Sequence, residues 1–461
     1  MNRAHPYIPN AEPQTRQAML DKVGIDTVDD LFASIPQRLR APENLGLPPA
    51  LEAEADLRRY FDSALARNTD TTENLSFLGG GCWTHSVPAV CDEIAGRGEF
   101  WSAFMGIAGS TTTGAYQALF EYQSLVAELV GLDLVPWPAY DWGWAASSGL
   151  LMAVRVTGRS RVLIADTSGP ARRRQIAARL PDRIEIEWVG HDPVTGGVDL
   201  DDLGRRVDGA AAFYFETPSY LGYAETELRT IRRLTHEAGC LLVAGVDPTS
   251  LGTLPDPGSY DADLAVGDLQ PLGLHPTFGG TAAGFMSFRL DSDLVAALPN
   301  IYLVAMPTAR PDEYDYFWAN FDDTSYASRG VADDVIGCGS TMHGIIAAVY
   351  LSLMGPQGMA ELGQTLRDRA AYLADRLGQV PGVTTARLTG LAFKEFVVDF
   401  SETGWSVERI NAALLDRGIF GGIALEADFP ELSGCALYSV TEKHTRDDLD
   451  RLATTLEEIL R

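Results

Sequence analysis

Apolar residues recur at helical spacing in two early stretches, TVDDLFASI (27–35) and LEAEADLRRYFDSALAR (51–67), with proline-rich APENLGLPPA (41–50) between them. That spacing sets apolar side chains on one helix face, and the prolines break it. Residues 1–75 are therefore predicted to form an N-terminal helical arm. From about residue 76 short apolar runs alternate with helical ones. RVLIAD (161–166), AAFYFE (211–216), CLLVAGVD (240–247) and DLAVGD (263–268) read as buried strands. YQALFEYQSLVAELV (116–130) places Leu119, Tyr122, Val126, Leu129 and Val130 on one helical face, and LRTIRRLTHEAG (228–239) does so with Leu228, Ile231, Leu234 and Ala238. Apolar strands alternating with helices predict a mostly parallel sheet covered on both faces, over residues 76–330. Beyond it MAELGQTLRDRAAYLADRL (359–377), FKEFVVDF (393–400), SVERINAALLDRG (406–418), ALYSVTE (436–442) and a helix over 445–460 predict a smaller C-terminal α+β domain, 331–461.

Composition narrows the function classes. The chain has 461 residues, 46% hydrophobic and 21% charged, enough for a large core. Its 36 basic and 63 acidic residues give a formal net charge of −27. An acidic surface repels phosphate backbones, so no nucleic-acid partner is expected. No apolar run reaches 18 residues and the start is polar, so neither a membrane span nor a secretory signal is expected. Cys82, Cys91, Cys240, Cys338 and Cys435 are irregularly spaced with no CxxC pair. They read as free thiols of a reducing, cytoplasmic compartment, with no metal site.

Ligands of open α/β sheets sit at the carboxyl ends of strands, which singles out three loops. PAYDWGWAASSGLLMAVRV (138–156) enters a helix whose N-terminus, with Ser147 and Ser148, suits a phosphate; a plain serine cap is the alternative. In VAGVDPTSLG (243–252), Asp247 ends a buried strand and needs a cationic or hydrogen-bonding partner. A protonated pyridine nitrogen is one, and a backbone cap is the other reading. VGDLQPLGLHPTFGGTAAGFMSF (266–288) offers Gln270 and His275, either facing a ligand or in structural roles. No Walker loop, GxGxxG after a strand, HExxH or GxSxG is present.

At these positions the chain resembles a known family. FLGGGCWTHSVPAV (77–90), QALFEYQSLVAELVGLDL (117–134), HEAGCLLVAGVDPTSLG (236–252), GDLQPLGLHPTFGG (267–280), VYLSLMGPQGM (349–359), RGIFGGIAL (417–425) and TEKHTRDDLDRL (441–452) look like the alpha subunit of the two-chain glycine-cleavage P-protein (glycine dehydrogenase, decarboxylating). The resemblance runs nearly end to end. It implies the type I pyridoxal-phosphate transferase (aminotransferase-like) fold, pyridoxal phosphate bound covalently by a beta-type partner, a small amino-acid substrate and possible contact with a lipoyl carrier protein. It makes Asp247, Ser147, Gln270, His275 and His85 the candidate cofactor-binding residues, with no catalytic residue expected on this chain. The lysine count agrees: only Lys22, Lys394 and Lys443 exist. The loop after residue 267, where such a fold needs an amine for a Schiff base, holds Gln270. Lys394 and Lys443 read as surface residues.

Several positions depart from the family pattern. Trp142-Gly143-Trp144 stands where the family has glycine, a small residue and threonine; Ser148 replaces a glutamate, and Gly169 a histidine. FMGIAGSTTTG (104–114) and SRGVADDV (328–335) replace a tyrosine-rich loop and a basic block. Trp142 or Trp144 is expected to fold into the old pocket, leaving a pseudo-active site in which Asp247 bonds within the chain. These departures suggest an alpha-type subunit diverged toward another amino acid in specialised metabolism. The competing readings are an ordinary glycine-cleavage subunit and a non-catalytic scaffold.

Overall fold

The computed structural model describes residues 7–41, 46–101, 113–279, 283–319, 324–330, 332–336 and 339–461. The chain divides into two compact units, 1–69 and 70–461. In the first, α1 (Pro13–Val23) and α2 (Glu54–Leu65) bury none of their residues. The sequence pattern did not mark α1, which owes its start to Glu12, whose side chain accepts from Gln14 and Thr15 N–H, and to Pro13 at the first helical position. TVDDLFASI, expected as a helix, forms only the short 3-10 turn Val28–Phe32. Thr27 and Asp30 cap one another there, and Pro36 restricts the residue before it.

The second unit is built on six strands: β1 (Arg161–Ala165), β2 (Glu185–Val189), β3 (Ala212–Thr217), β4 (Leu241–Val246), β5 (Leu264–Asp268) and β6 (Gly284–Phe288). Their order is β2-β1-β3-β4-β5-β6, and only β6 runs antiparallel to its neighbour. The mostly parallel sheet expected from the alternating pattern is thus observed. Side chains alternate between its faces. Val162, Ile164, Tyr214 and Val243 pack with Ala145, Leu150 and Leu151 of the helix Trp142–Thr157. Leu163, Phe213, Phe215, Leu242 and Ala244 pack with Leu228 and Ile231 of the helix Leu228–Glu237. Strand β2 escaped the sequence reading because it is an edge strand with only Val189 buried.

The long helix Thr341–Leu377 is broken at Gly355 (φ 58°), followed by Pro356. Among the described residues it alone is long and apolar enough to cross a membrane. Its first half is nevertheless a core helix, with Ile345, Ala347 and Leu351 packed against Leu119, Tyr122 and Val126. Its second half joins the helices Val407–Leu415 and Arg446–Leu460 over a three-stranded antiparallel sheet. There Cys435–Ser439 lies between Glu395–Asp399 and Ile423–Ala424.

Candidate functional site

Three neighbouring strands end in buried carboxylates: Glu216 in β3, Asp247 just past β4, and Asp268 at the end of β5. Side by side they would repel and each would bear the cost of burial, so how each is neutralised defines the site. Glu216 is matched by Arg172 of the helix Pro170–Arg179, whose Nε donates to Oε1 at 2.6 Å and whose Nη2 donates to Oε2. Gly169 N–H and Tyr214 O–H complete its shell at 3.0 and 2.8 Å. The Arg172 guanidinium also lies 4.0 Å from the Trp142 ring centroid, a cation–π contact.

Asp247 has a different partner. Lys394 Nζ stands 2.6 Å from its Oδ2, while Thr249 donates its N–H and O–H to Oδ1 at 3.0 and 2.8 Å. Asp247 thus caps the backbone, and the cation beside it is one the sequence did not point to, the ammonium of Lys394. Lys394 also donates to His85 Nε2 at 2.9 Å and places its ammonium 3.5 Å from the Trp83 ring centroid. Since His85 Nε2 accepts, Nδ1 carries the hydrogen, which it donates to Glu442 at 2.8 Å. Burial and the charge of Lys394 push the His85 ring below its ordinary pKa, keeping it neutral. Burial would lift the Asp247 carboxyl, but Lys394 beside it holds it below the usual carboxylate range.

Lys394 was expected at the surface; it is 2% exposed. Its charge is compensated by Asp247, His85 and Trp83, groups 147 to 311 residues away in sequence and invisible to local patterning. The other missed groups, Glu442, Trp83 and the Arg172–Glu216 pair, are likewise brought in by long-range packing. The one local signal was a charged pair, Lys394-Glu395, set between apolar Phe393 and Phe396.

Among the described residues Asp268 has no cation of its own. Burial pushes its carboxyl up to about 7, eased by the Gln270 N–H and Arg172 and reinforced by Asp141 and Asp247. Gln270 itself is buried and fully engaged. Its Oε1 accepts from Trp83 N–H at 3.2 Å, and its Nε2 donates to the carbonyls of Trp83 (3.1 Å) and Leu274 (3.0 Å). It pins the glycine-rich loop that delivers Trp83 and His85. That loop needs its glycines: a Cβ at Gly79 would lie 2.1 Å from Glu395 Oε1, and Gly80 and Gly81 have φ of 71° and 114°.

At the N-terminus of Trp142–Thr157 the Asp141 side chain accepts from Trp144 N–H at 2.7 Å and from Gln175. Ser147 turns its hydroxyl back to Gly143 O at 2.7 Å, inside the helix. Trp142 is buried beside Arg172, whereas Trp144 packs on Tyr140 and under Arg179. His275 lies at the surface, 3.0 Å from Asp92. The structure thus gathers Asp247, Gln270 and His85 and leaves Ser147 and His275 apart. FMGIAGSTTTG falls almost entirely outside the described residues.

A mostly parallel, doubly covered sheet with polar groups gathered at its carboxyl edge is the architecture of fold type I pyridoxal-phosphate proteins. A NifS-like protein shares that fold at TM-score 0.63 and 14% identity, covering 84% of this chain and 99% of its own. The glycine decarboxylase (P-protein) of the glycine cleavage system, solved in an inhibitor-bound form, aligns at TM-score 0.87 and 30% identity, covering 99% of this chain and all of the other. The family model described as glycine cleavage system P-protein matches residues 5–456, and the chain belongs to that family. Curated relatives include probable glycine dehydrogenase (decarboxylating) subunit 1 of Aeropyrum pernix, 36% identical over 99% of both chains. The protein of the same name from Staphylothermus marinus is 34% identical over 99% of this chain and 98% of its own length. The chain is accordingly a glycine decarboxylase subunit 1-like protein of the pyridoxal-phosphate class.

The site on this chain does not fit the cofactor as it stands. The cavity bounded by Gly81, Trp83, Trp142, Arg172, Asp247 and Lys394 has about 10 Å³ of free volume, room for about one water. Cofactor sites commonly offer ~300–1,000 Å³. Asp247, the carboxylate that would pair with a ring nitrogen, is already paired with Lys394.

Proposed function

We propose that this chain is the alpha-type subunit of a two-chain, pyridoxal-phosphate-dependent glycine decarboxylase, and that a beta-type partner holds the cofactor on its own lysine. The observation that carries the reading is Gln270. It occupies the loop where a Schiff-base lysine belongs, with its amide spent on Trp83 and Leu274. An amide is no nucleophile toward a carbonyl. This chain's part is to stabilise the partner and wall its site, within a cytoplasmic complex that meets a lipoyl carrier protein. The chain is read as a helical arm (1–75), a large domain (76–330) and a small one (331–461).

Glycine is the substrate the reading favours. Trp142 and Gly169, the departures that suggested another amino acid, lie in or beside a cavity too small for any substrate. Drift in a closed site leaves the partner's chemistry untouched. Co-expression with a beta-type subunit tests this. The complex should show the absorbance of lysine-bound pyridoxal phosphate and exchange carbon dioxide with the glycine carboxyl, and the chain alone should do neither. Exchange with a different amino acid but not with glycine would establish the diverged reading instead. A complex without cofactor or turnover would leave the scaffold reading.

A further inference from the structure

Lys394 is the most unusual group in the molecule: a lysine 2% exposed, delivered by the segment before Glu395–Asp399 to the carboxyl end of a strand in a different sheet. Its three ammonium hydrogens meet a carboxylate, an imidazole nitrogen and an indole face, so no donor is left over. An aspartate at a strand end is the usual mate of a pyridinium nitrogen. Here that aspartate already has a cation within the chain. The lysine is held in turn by its backbone: Lys394 O accepts from Val440 N–H at 2.8 Å, and Phe393 N–H donates to Gly222 O at 3.0 Å.

We infer that Lys394 is a built-in counter-cation that fills the place opposite Asp247, so that this chain's strand-end site is a self-occupied ammonium site and a latch between its six-stranded and three-stranded sheets. The relay Asp247–Lys394–His85–Glu442 then joins the main sheet, the glycine-rich loop and the turn before the last helix through one charge. The inference concerns this chain's own residues and holds whichever amino acid the assembled complex uses. The binding chemistry it assigns is a primary ammonium held by a carboxylate, an imidazole and an aromatic face.

The test starts from truncation of the lysine in the full chain. Lys394→Ala leaves Asp247 buried and unpaired, and its melting temperature should fall by about 5–10 °C. Ethylammonium fits the vacated space and should recover at least half of that loss at millimolar concentration. It should do nothing for the wild-type chain or for Lys394→Met, whose side chain fills the space without charge. Tetramethylammonium, which has no N–H, should not substitute. Failure of ethylammonium to stabilise Lys394→Ala beyond wild type would overturn the inference. Should that variant not fold, the wild-type chain decides by pyridoxal phosphate labelling followed by borohydride and peptide mapping. With three lysines in the chain, exposed Lys22 and Lys443 should be tagged and Lys394 should react only after denaturation. A tag on Lys394 in the folded chain refutes self-occupation. Both outcomes are read on this chain alone, separately from any activity of the two-chain complex.

Discussion

Of the three carboxylates at the sheet's edge, two are paired with cations and the third is held close to neutrality by burial. Asp268 Oδ2 has no partner among the described residues. Its folded pKa, about 7, lies above the ordinary 3.8, so between those values the folded chain binds the proton that the unfolded chain releases. The group's contribution to stability is full below 3.8 and is lost as pH rises through about 7. Asp268→Asn should therefore flatten the dependence of the urea midpoint on pH in that window and raise the midpoint above pH 7. An unchanged profile would show that Asp268 is ionised in the fold. Arg172 poses the converse case. Removing it leaves Glu216 buried without its cation and Trp142 without its stacked guanidinium. Arg172→Met should cost about 3–5 kcal/mol in equilibrium unfolding.

The elements bring these residues within reach because they approach one another closely. At Gly222 (φ 92°), a Cβ would lie 2.1 Å from the carbonyl oxygen of Glu395. Gly222 O also receives the Phe393 N–H, so this contact fixes the Lys394 segment beside the chain that follows β3. A side chain there is strained twice, by its backbone angle and by the collision. Gly222→Ala should destabilise the chain by about 1–3 kcal/mol and make Lys394 reactive toward pyridoxal phosphate and borohydride. Loss of stability with Lys394 still unreactive would show that the latch survives a displaced segment. The helix Trp142–Thr157 meets its own needs in the same local way. Its positive N-terminus is capped by Asp141, itself held by Gln175 at 2.8 and 3.0 Å, so no external anion is required.

At the scale of the molecule, none of the described residues of the N-terminal unit is buried. Leu57, Tyr60, Phe61 and Leu65 fall at the i, i+3, i+4, i+8 spacing of one face of α2 and are 42–62% exposed; Leu31, Phe32 and Leu39 are also open. A stripe of this kind gains free energy when another apolar surface covers it. Under the two-chain reading, it contributes to an obligate interface of more than ~2,000 Å². Deleting residues 1–69 should leave the far-ultraviolet circular dichroism of 70–461 nearly native while abolishing co-purification with the beta-type partner. Retained co-purification would place the interface on the second unit.

Periodicity alone placed the four apolar strands near Arg161–Ala165, Ala212–Thr217, Leu241–Val246 and Leu264–Asp268, since a strand buried on both faces must be apolar throughout. The family motifs, which are stretches of contiguous chain, were legible for the same reason: each is a local requirement, a glycine turn or a helix face. Asp247, His85 and Gln270 could be named from sequence because each sits in such a stretch. Their partners could not. Whether Asp247 faces a ligand or a side chain depends on Lys394, 147 residues on, and sequence offers no means of bringing those two atoms to 2.6 Å. A lysine between polar and apolar neighbours looks like a surface residue until a second sheet is folded against the first. The hydrophobic pattern determined the layers; only their packing decided which charges face one another, because charge compensation acts between atoms in space and not between positions along the chain.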